Sequence, residues 1–132
     1  MRLRPASWLI LLWGCAGTPT GVPLEQEFEL AIDQRVPLDT TGATLRFVAV
    51  PEDSRCPSDV VCVWAGNARV LLRVHREDGE HTVTLNTTTE PRRATVAGFE
   101  IQLNDLSPLP RAGAPISPAQ YRAKLEVRRA PG

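Results

Sequence analysis

Residues 70–87 read VLLRVHREDGEHTVTLNT, and this stretch decides the fold. Val70, Leu72 and Val74 alternate with Leu71, Arg73 and His75, and beyond Asp78-Gly79 the residues Val83 and Leu85 alternate with Thr82, Thr84 and Asn86. Successive side chains on a strand point to opposite faces, so a period of two gives each run one apolar and one wet face. An Asp-Gly pair suits a two-residue type I′ turn, which needs positive φ at both centres. A turn centred there predicts the pairs Arg76–His81, Val74–Val83, Leu72–Leu85 and Val70–Thr87. This register collects the large apolar side chains other than Leu71 on one face. It also sets His75 and His81 on opposite faces.

The same period runs outward through the chain. Phe28, Leu30 and Ile32 alternate with Glu29, Ala31 and Asp33, and Phe99, Ile101 and Leu103 alternate with Glu100, Gln102 and Asn104. Tyr121, Ala123, Leu125 and Val127 alternate with Arg122, Lys124, Glu126 and Arg128. The run Leu45–Val50 has apolar residues at both parities, which predicts a strand covered on both sides. Twelve prolines oppose long helices, and those at 51, 57, 91, 108, 110, 115 and 118 mark the connections. The expectation is an all-β domain over residues 25–132, an antiparallel β-sandwich or small barrel of about seven short strands.

The chain has 132 residues, enough for one domain, with 15 basic and 15 acidic side chains. This balance leaves no electrostatic footprint for nucleic acid. All basic residues but Lys124 are arginines, scattered along the sequence without a run that marks an anion site.

The first fifteen residues read MRLRPASWLILLWGC. Arg2 and Arg4 precede an apolar stretch from Ala6 to Trp13, far short of the ~20 residues that span a bilayer, so it reads as a leader rather than a mature span. Leu12-Trp13-Gly14-Cys15 resembles the lipobox of bacterial lipoproteins, although Trp13 is larger than the residue usual there. The resemblance implies a signal peptide over 1–14, cleavage before Cys15 and lipid on the Cys15 sulfur. It implies export and anchoring in the cell envelope through that lipid. Ala16 rather than Asp after the Cys favours the outer membrane where one exists. Residues 15–24, which contain the small, Pro/Gly-rich run AGTPTGVP, read as a flexible tether.

Residues 52–68, EDSRCPSDVVCVWAGNA, are the least ordinary segment. Cys56 and Cys62 are expected to form a disulfide in an oxidising compartment. Trp64 is expected to pack over the sulfurs or plug the end of the sandwich, with ligand stacking as the alternative. Gly66 permits a tight turn or close backbone approach. Asp53 and Arg55 have two readings. In one they are polar groups of a binding loop; in the favoured one Asp53 caps backbone N–H groups and Arg55 pairs with a nearby carboxylate. The residues Asp53, Ser54, Arg55, Cys56 and Pro57, followed by Cys62, Trp64, Ala65 and Gly66, resemble a signature of small uncharacterised bacterial secreted proteins and lipoproteins. That resemblance implies an exported β domain and supplies no mechanism.

Cys56, Cys62, His75 and His81 approach a zinc-finger spacing, but the cysteine gap is long and the histidines flank a β-turn instead of lying on a helix. No C-x-x-C, nucleophile elbow or phosphate-cradling glycine loop occurs. No catalytic residue, metal ligand or cofactor is therefore assigned. The leading expectation is an envelope-anchored, non-catalytic β-sandwich that binds a partner, an envelope protein or a small ligand, or serves a structural role. A small-ligand or metal-handling module centred on the Asp53–Gly66 loop is the alternative. A hydrolase or thiol enzyme assembled only in space is the second.

Overall fold

A computed structural model describes residues 24–38 and 42–131, together with Gly14. Cys15, the rest of the expected leader and the expected tether up to Pro23 lie outside the described residues. The strands are β1 (Glu27–Ala31), β2 (Arg35–Pro37), β3 (Thr44–Asp53), β4 (Ala68–Arg76), β5 (Gly79–Asn86), β6 (Arg93–Val96), β7 (Phe99–Ser107) and β8 (Arg122–Arg129). They form two four-stranded antiparallel sheets, ordered β1-β8-β7-β6 and β2-β3-β4-β5. The all-β sandwich expected from the sequence is what forms, and the barrel alternative is not, because the two sheets remain separate. Eight strands form where about seven were expected, and the two that no alternating run marks are β2 and β6, whose three and four residues are too few to show a period.

The inner faces hold Leu45 and Phe47 of β3, Val70, Leu72 and Val74 of β4 and Leu85 of β5, against Leu30 of β1, Phe99, Ile101 and Leu103 of β7, and Ala123, Leu125 and Val127 of β8. Each fully buried Leu, Val, Ile or Phe contributes about 1.5–3 kcal/mol over an exposed one, so this face is the main stabilising term. The mixed parity of Leu45–Val50 has a local cause. Irregularities in the β3–β4 register after Phe47 and again after Ala49 shift the pleat, so that Val50 packs against the core after Leu45 and Phe47 have done so on the other parity. β3 is a bulged strand rather than one covered on both sides.

The β4–β5 hairpin forms with its turn displaced. Arg76 pairs with Gly79, Val74 with His81, Leu72 with Val83 and Val70 with Leu85, so Glu77 and Asp78 are the turn centres. Neither has positive φ, and Gly79 takes the positive value (128°) just after the turn. The expected pairing is thus out by two residues along β5. An even shift leaves every side chain on its expected face, and His75 and His81 do fall on opposite faces. The two-residue turn with positive φ at both centres lies elsewhere, at Ala97 (53°) and Gly98 (84°) between β6 and β7. There the Arg76 guanidinium donates to the Ala97 carbonyl and lies 5.9 Å from the centre of the Phe99 ring.

The ends of the sandwich differ. The β3–β4 connection and the β7–β8 connection share one end. The chain enters at the other, where the Glu25 N–H donates to the Val127 carbonyl at 2.8 Å. Tyr121, just before β8, and Val127 within it are six residues apart, which is about 20 Å of extended chain.

Candidate functional site

The β3–β4 connection begins as a continuation of the strand ladder. The Ser54 N–H donates to the Asn67 carbonyl at 2.7 Å and the Cys56 N–H to the Ala65 carbonyl at 3.0 Å. Gly66 makes this approach possible: its φ is 69°, and a methyl group built there would overlap the Ser54 carbonyl oxygen. Asn67 secures the other side. Its amide donates to the Asn86 side-chain oxygen at 3.0 Å, and its own oxygen accepts from the Thr88 N–H at 3.0 Å. Asn86 is buried and donates in turn to the Pro91 carbonyl at 3.1 Å.

Asp53 and Arg55 are each other's partners. Asp53 Oδ1 accepts from Arg55 Nε at 2.8 Å and from the Arg55 backbone N–H at 3.3 Å. Asp53 Oδ2 accepts from Arg55 Nη2 at 2.8 Å and from the Tyr121 hydroxyl at 2.9 Å. Arg55 Nη1 then donates to the Leu106 carbonyl at 2.6 Å, and Nη2 to that of Pro108 at 3.0 Å. The pair is 8% and 13% exposed for Arg and Asp, so the fork is committed to the interior. It clamps the end of one sheet to the ends of β7 and β8 in the other. Both structural roles expected of these residues are realised, with Asp53 as the carboxylate that Arg55 needs.

The electrostatics agree with a clamp. Burial pushes the Asp53 carboxyl up, but the hydrogen bonds from Arg55 and Tyr121 outweigh it and hold the group below its ordinary value. Burial, reinforced by the bond to Asp53, pushes the Tyr121 phenol up to about 12. The sequence reading placed Tyr121 on an inward face without assigning it a partner. A buried phenol at a strand start needs an acceptor, which was the available signal.

Beyond this base the loop changes character. The Ser58 N–H donates to the Pro110 carbonyl at 2.8 Å, and Asp59 Oδ1 accepts from the Ala112 N–H at 2.9 Å. These contacts hold one limb on the β7–β8 connection. The sulfurs of Cys56 and Cys62 sit at bonding distance with Cα atoms 5.9 Å apart, which closes the limb into a small ring. What projects from it is apolar: Val61 is 101% exposed, Val63 92%, Trp64 82% and Val60 43%. Trp64 therefore neither covers the sulfurs nor plugs the sandwich, because Gly66 and the Cys56–Ala65 bond turn the chain so that the indole leaves the domain. Leu109, between the two proline carbonyls used by the loop, is also exposed.

The structure thus brings Asp53 and Arg55 together and places Trp64 apart from them. A shallow depression beside the clamp is bordered by Asp53, Arg55, Pro57, Arg111, Ile116 and Tyr121, and Trp64 does not line it. The zinc-like spacing does not assemble, since the two sulfurs face each other and the two histidines face apart. Among the described residues no group of three or more His, Cys, Asp and Glu could hold a metal ion. One cross-strand row, Thr44, His75 and Glu80, does place hydroxyl, imidazole and carboxylate side by side. His75 Nδ1 is 3.9 Å from Glu80 Oε1, and among the described residues no hydrogen bond joins Thr44 to the ring.

By fold this is a small two-sheet antiparallel β-sandwich with a stapled loop at one end. Compared with protein-family models, curated proteins and solved structures, the chain finds no match.

Proposed function

We propose that the protein is an exported, lipid-anchored β-sandwich that recognises a protein partner through the tip Val60–Trp64, and that it has no catalytic role. The observation that carries this reading is the exposure of Val61, Val63 and Trp64 on a loop held rigid at its base. Exposed apolar clusters mark interaction sites more often than they mark indifferent surface. Trp is also the residue most enriched among those that dominate binding energy. A ring closed over six positions, on a base bonded to both sheets, presents these side chains with little ordering left to do on binding. Anchoring fits the geometry. The chain enters the domain at the end opposite the tip, so a tether to the membrane through Cys15 would direct the tip away from the lipid surface.

A small-ligand site around Asp53 and Arg55 has less support, because both side chains are satisfied internally and Trp64 is not beside them. The test is photo-crosslinking in cells from positions 61 and 64, with position 95 on β6 as the control, and intact mass of the native protein. The expected result is a discrete protein adduct from the tip positions alone, on a chain that begins at a diacylglyceryl-modified Cys15. Identical adducts from position 95, or none from the tip, would overturn the recognition reading. An unacylated, soluble protein would overturn the anchoring.

A further inference from the structure

The arginines that look scattered in sequence are not scattered in the sheet. Arg35 of β2 pairs in register with Arg46 of β3, and Arg46 pairs with Arg73 of β4. The same row ends on Thr82 of β5. Three guanidinium groups thus stand side by side on the outer face, spanning two inter-strand spacings, or about 10 Å. Like charges directly opposite one another across strands are destabilising, and a polar residue such as Thr82 serves the position without that cost.

The counter-charges present do not fill the row. Asp33 Oδ1 meets Arg46 Nη2 at 2.6 Å, and Glu80 Oε2 meets Arg73 Nε at 3.6 Å. Both carboxylates are more than half exposed. Arg35 makes no ion pair among the described residues. The row also borders a shallow cleft of about 20 Å³, open to solvent and lined by Arg35, Thr44, Arg46, Arg73, His75 and Glu80.

We infer that this face binds phosphate groups. The planar guanidinium fork matches phosphate oxygens two at a time, with charge-assisted bonds about twice as strong as neutral ones. Three forks in a line fit phosphates in series or a single phosphate held between neighbours, and Thr44 adds a hydroxyl donor at the cleft. The site lies on the outer face of one sheet and does not depend on the apolar tip being a recognition element.

The test is calorimetric titration of the purified full-length protein with sodium orthophosphate and, separately, with linear polyphosphate at low and moderate salt. Binding of orthophosphate supports the site with a free ion as its source, and binding of polyphosphate alone supports phosphates carried in series. In either case the affinity falls with salt, as expected for displaced counterions. R35Q, on a three-residue edge strand with little to unfold, and R73Q each weaken binding about tenfold, the order of one lost charge-assisted contact. R111Q, on the β7–β8 connection, leaves binding unchanged. No heat with either probe, or equal losses for R111Q and R35Q, overturns the inference.

Discussion

The base and the tip of the β3–β4 loop carry opposite kinds of side chain, and each does the opposite of what its chemistry suggests. The base holds Asp53 and Arg55, the residues most easily read as binding groups. They are buried and fully engaged with each other, with Tyr121 and with two carbonyls. The tip holds Val61, Val63 and Trp64, the residues most easily read as core, and they stand in solvent. Residue type alone does not divide structural from functional positions here. What divides them is whether the side chain's bonding capacity is already used by the fold.

That division can be broken most severely at the base. Arg55→Met leaves the Asp53 carboxylate buried without its cation, and losing one partner of a buried pair costs about 3–5 kcal/mol. Chemical denaturation should show a loss of that order. The double variant D53L/R55M should recover part of it, because an apolar pair of similar bulk removes the uncompensated charge. If R55M unfolds no more easily than the native protein, the clamp is incidental, and Arg55 becomes available as a ligand-binding group.

The staple between base and tip comes next. Replacing both cysteines by serine releases a ring of six-residue separation, for which the chain-entropy estimate is about 2 kcal/mol. The loss should appear mainly as mobility of residues 57–64, measured by amide exchange, with the two sheets protected as before.

Tyr121 sharpens the comparison by pH. Its folded pKa is raised from 10.0 to about 12. The neutral phenol is therefore favoured in the folded state, and the contribution is complete below pH 10 and lost as pH rises toward 12. Asp53 works the other way. Its folded pKa lies below the ordinary 3.8, so its contribution is present above that value and lost as pH falls beneath it. Tyr121→Phe should cost about 1.5 kcal/mol near neutrality, as for a hydrogen bond to a charged group, and should flatten the alkaline limb of the stability profile. Tyr121 is the chain's one tyrosine, so phenolate absorbance reads its titration directly.

How much of this was legible follows from the range of each interaction. The faces of β4 and β5 were readable because alternation is local and survives the two-residue slip of the turn. The turn itself was not, because Asp78-Gly79 offered the primed conformation and Ala97-Gly98 adopted it, with Arg76 bonded to the Ala97 carbonyl. The Asp53–Arg55 pairing lay within reach, two residues apart. The bond from Tyr121 to Asp53 crosses 68 positions, and the arginine row joins strands separated by up to 38. Registers fixed only by the assembled sheets leave no linear trace. Trp64 was misplaced because its hydrophobicity is visible in sequence, whereas the turn that sends it outward depends on Gly66 meeting Ser54 across the loop.

The smallest expected effect on stability belongs to the tip, and for that reason it is the most informative. A side chain already in solvent has no burial to lose, so V61S/W64S should change unfolding free energy by no more than about 0.5 kcal/mol. The other two tryptophans are Trp8 and Trp13, so in the form proposed above, which begins at Cys15, Trp64 is the single indole. The free native protein should therefore show the red-shifted emission of an indole in water, quenched by acrylamide as readily as in denaturant. A blue-shifted, protected emission would place Trp64 inside the sandwich and reverse the contrast between tip and base. If the emission is water-like and V61S/W64S leaves stability intact while abolishing partner crosslinks from a photoreactive residue introduced at position 63, the tip acts on something outside its own fold. Selection for stability alone would not then keep three large apolar side chains in water.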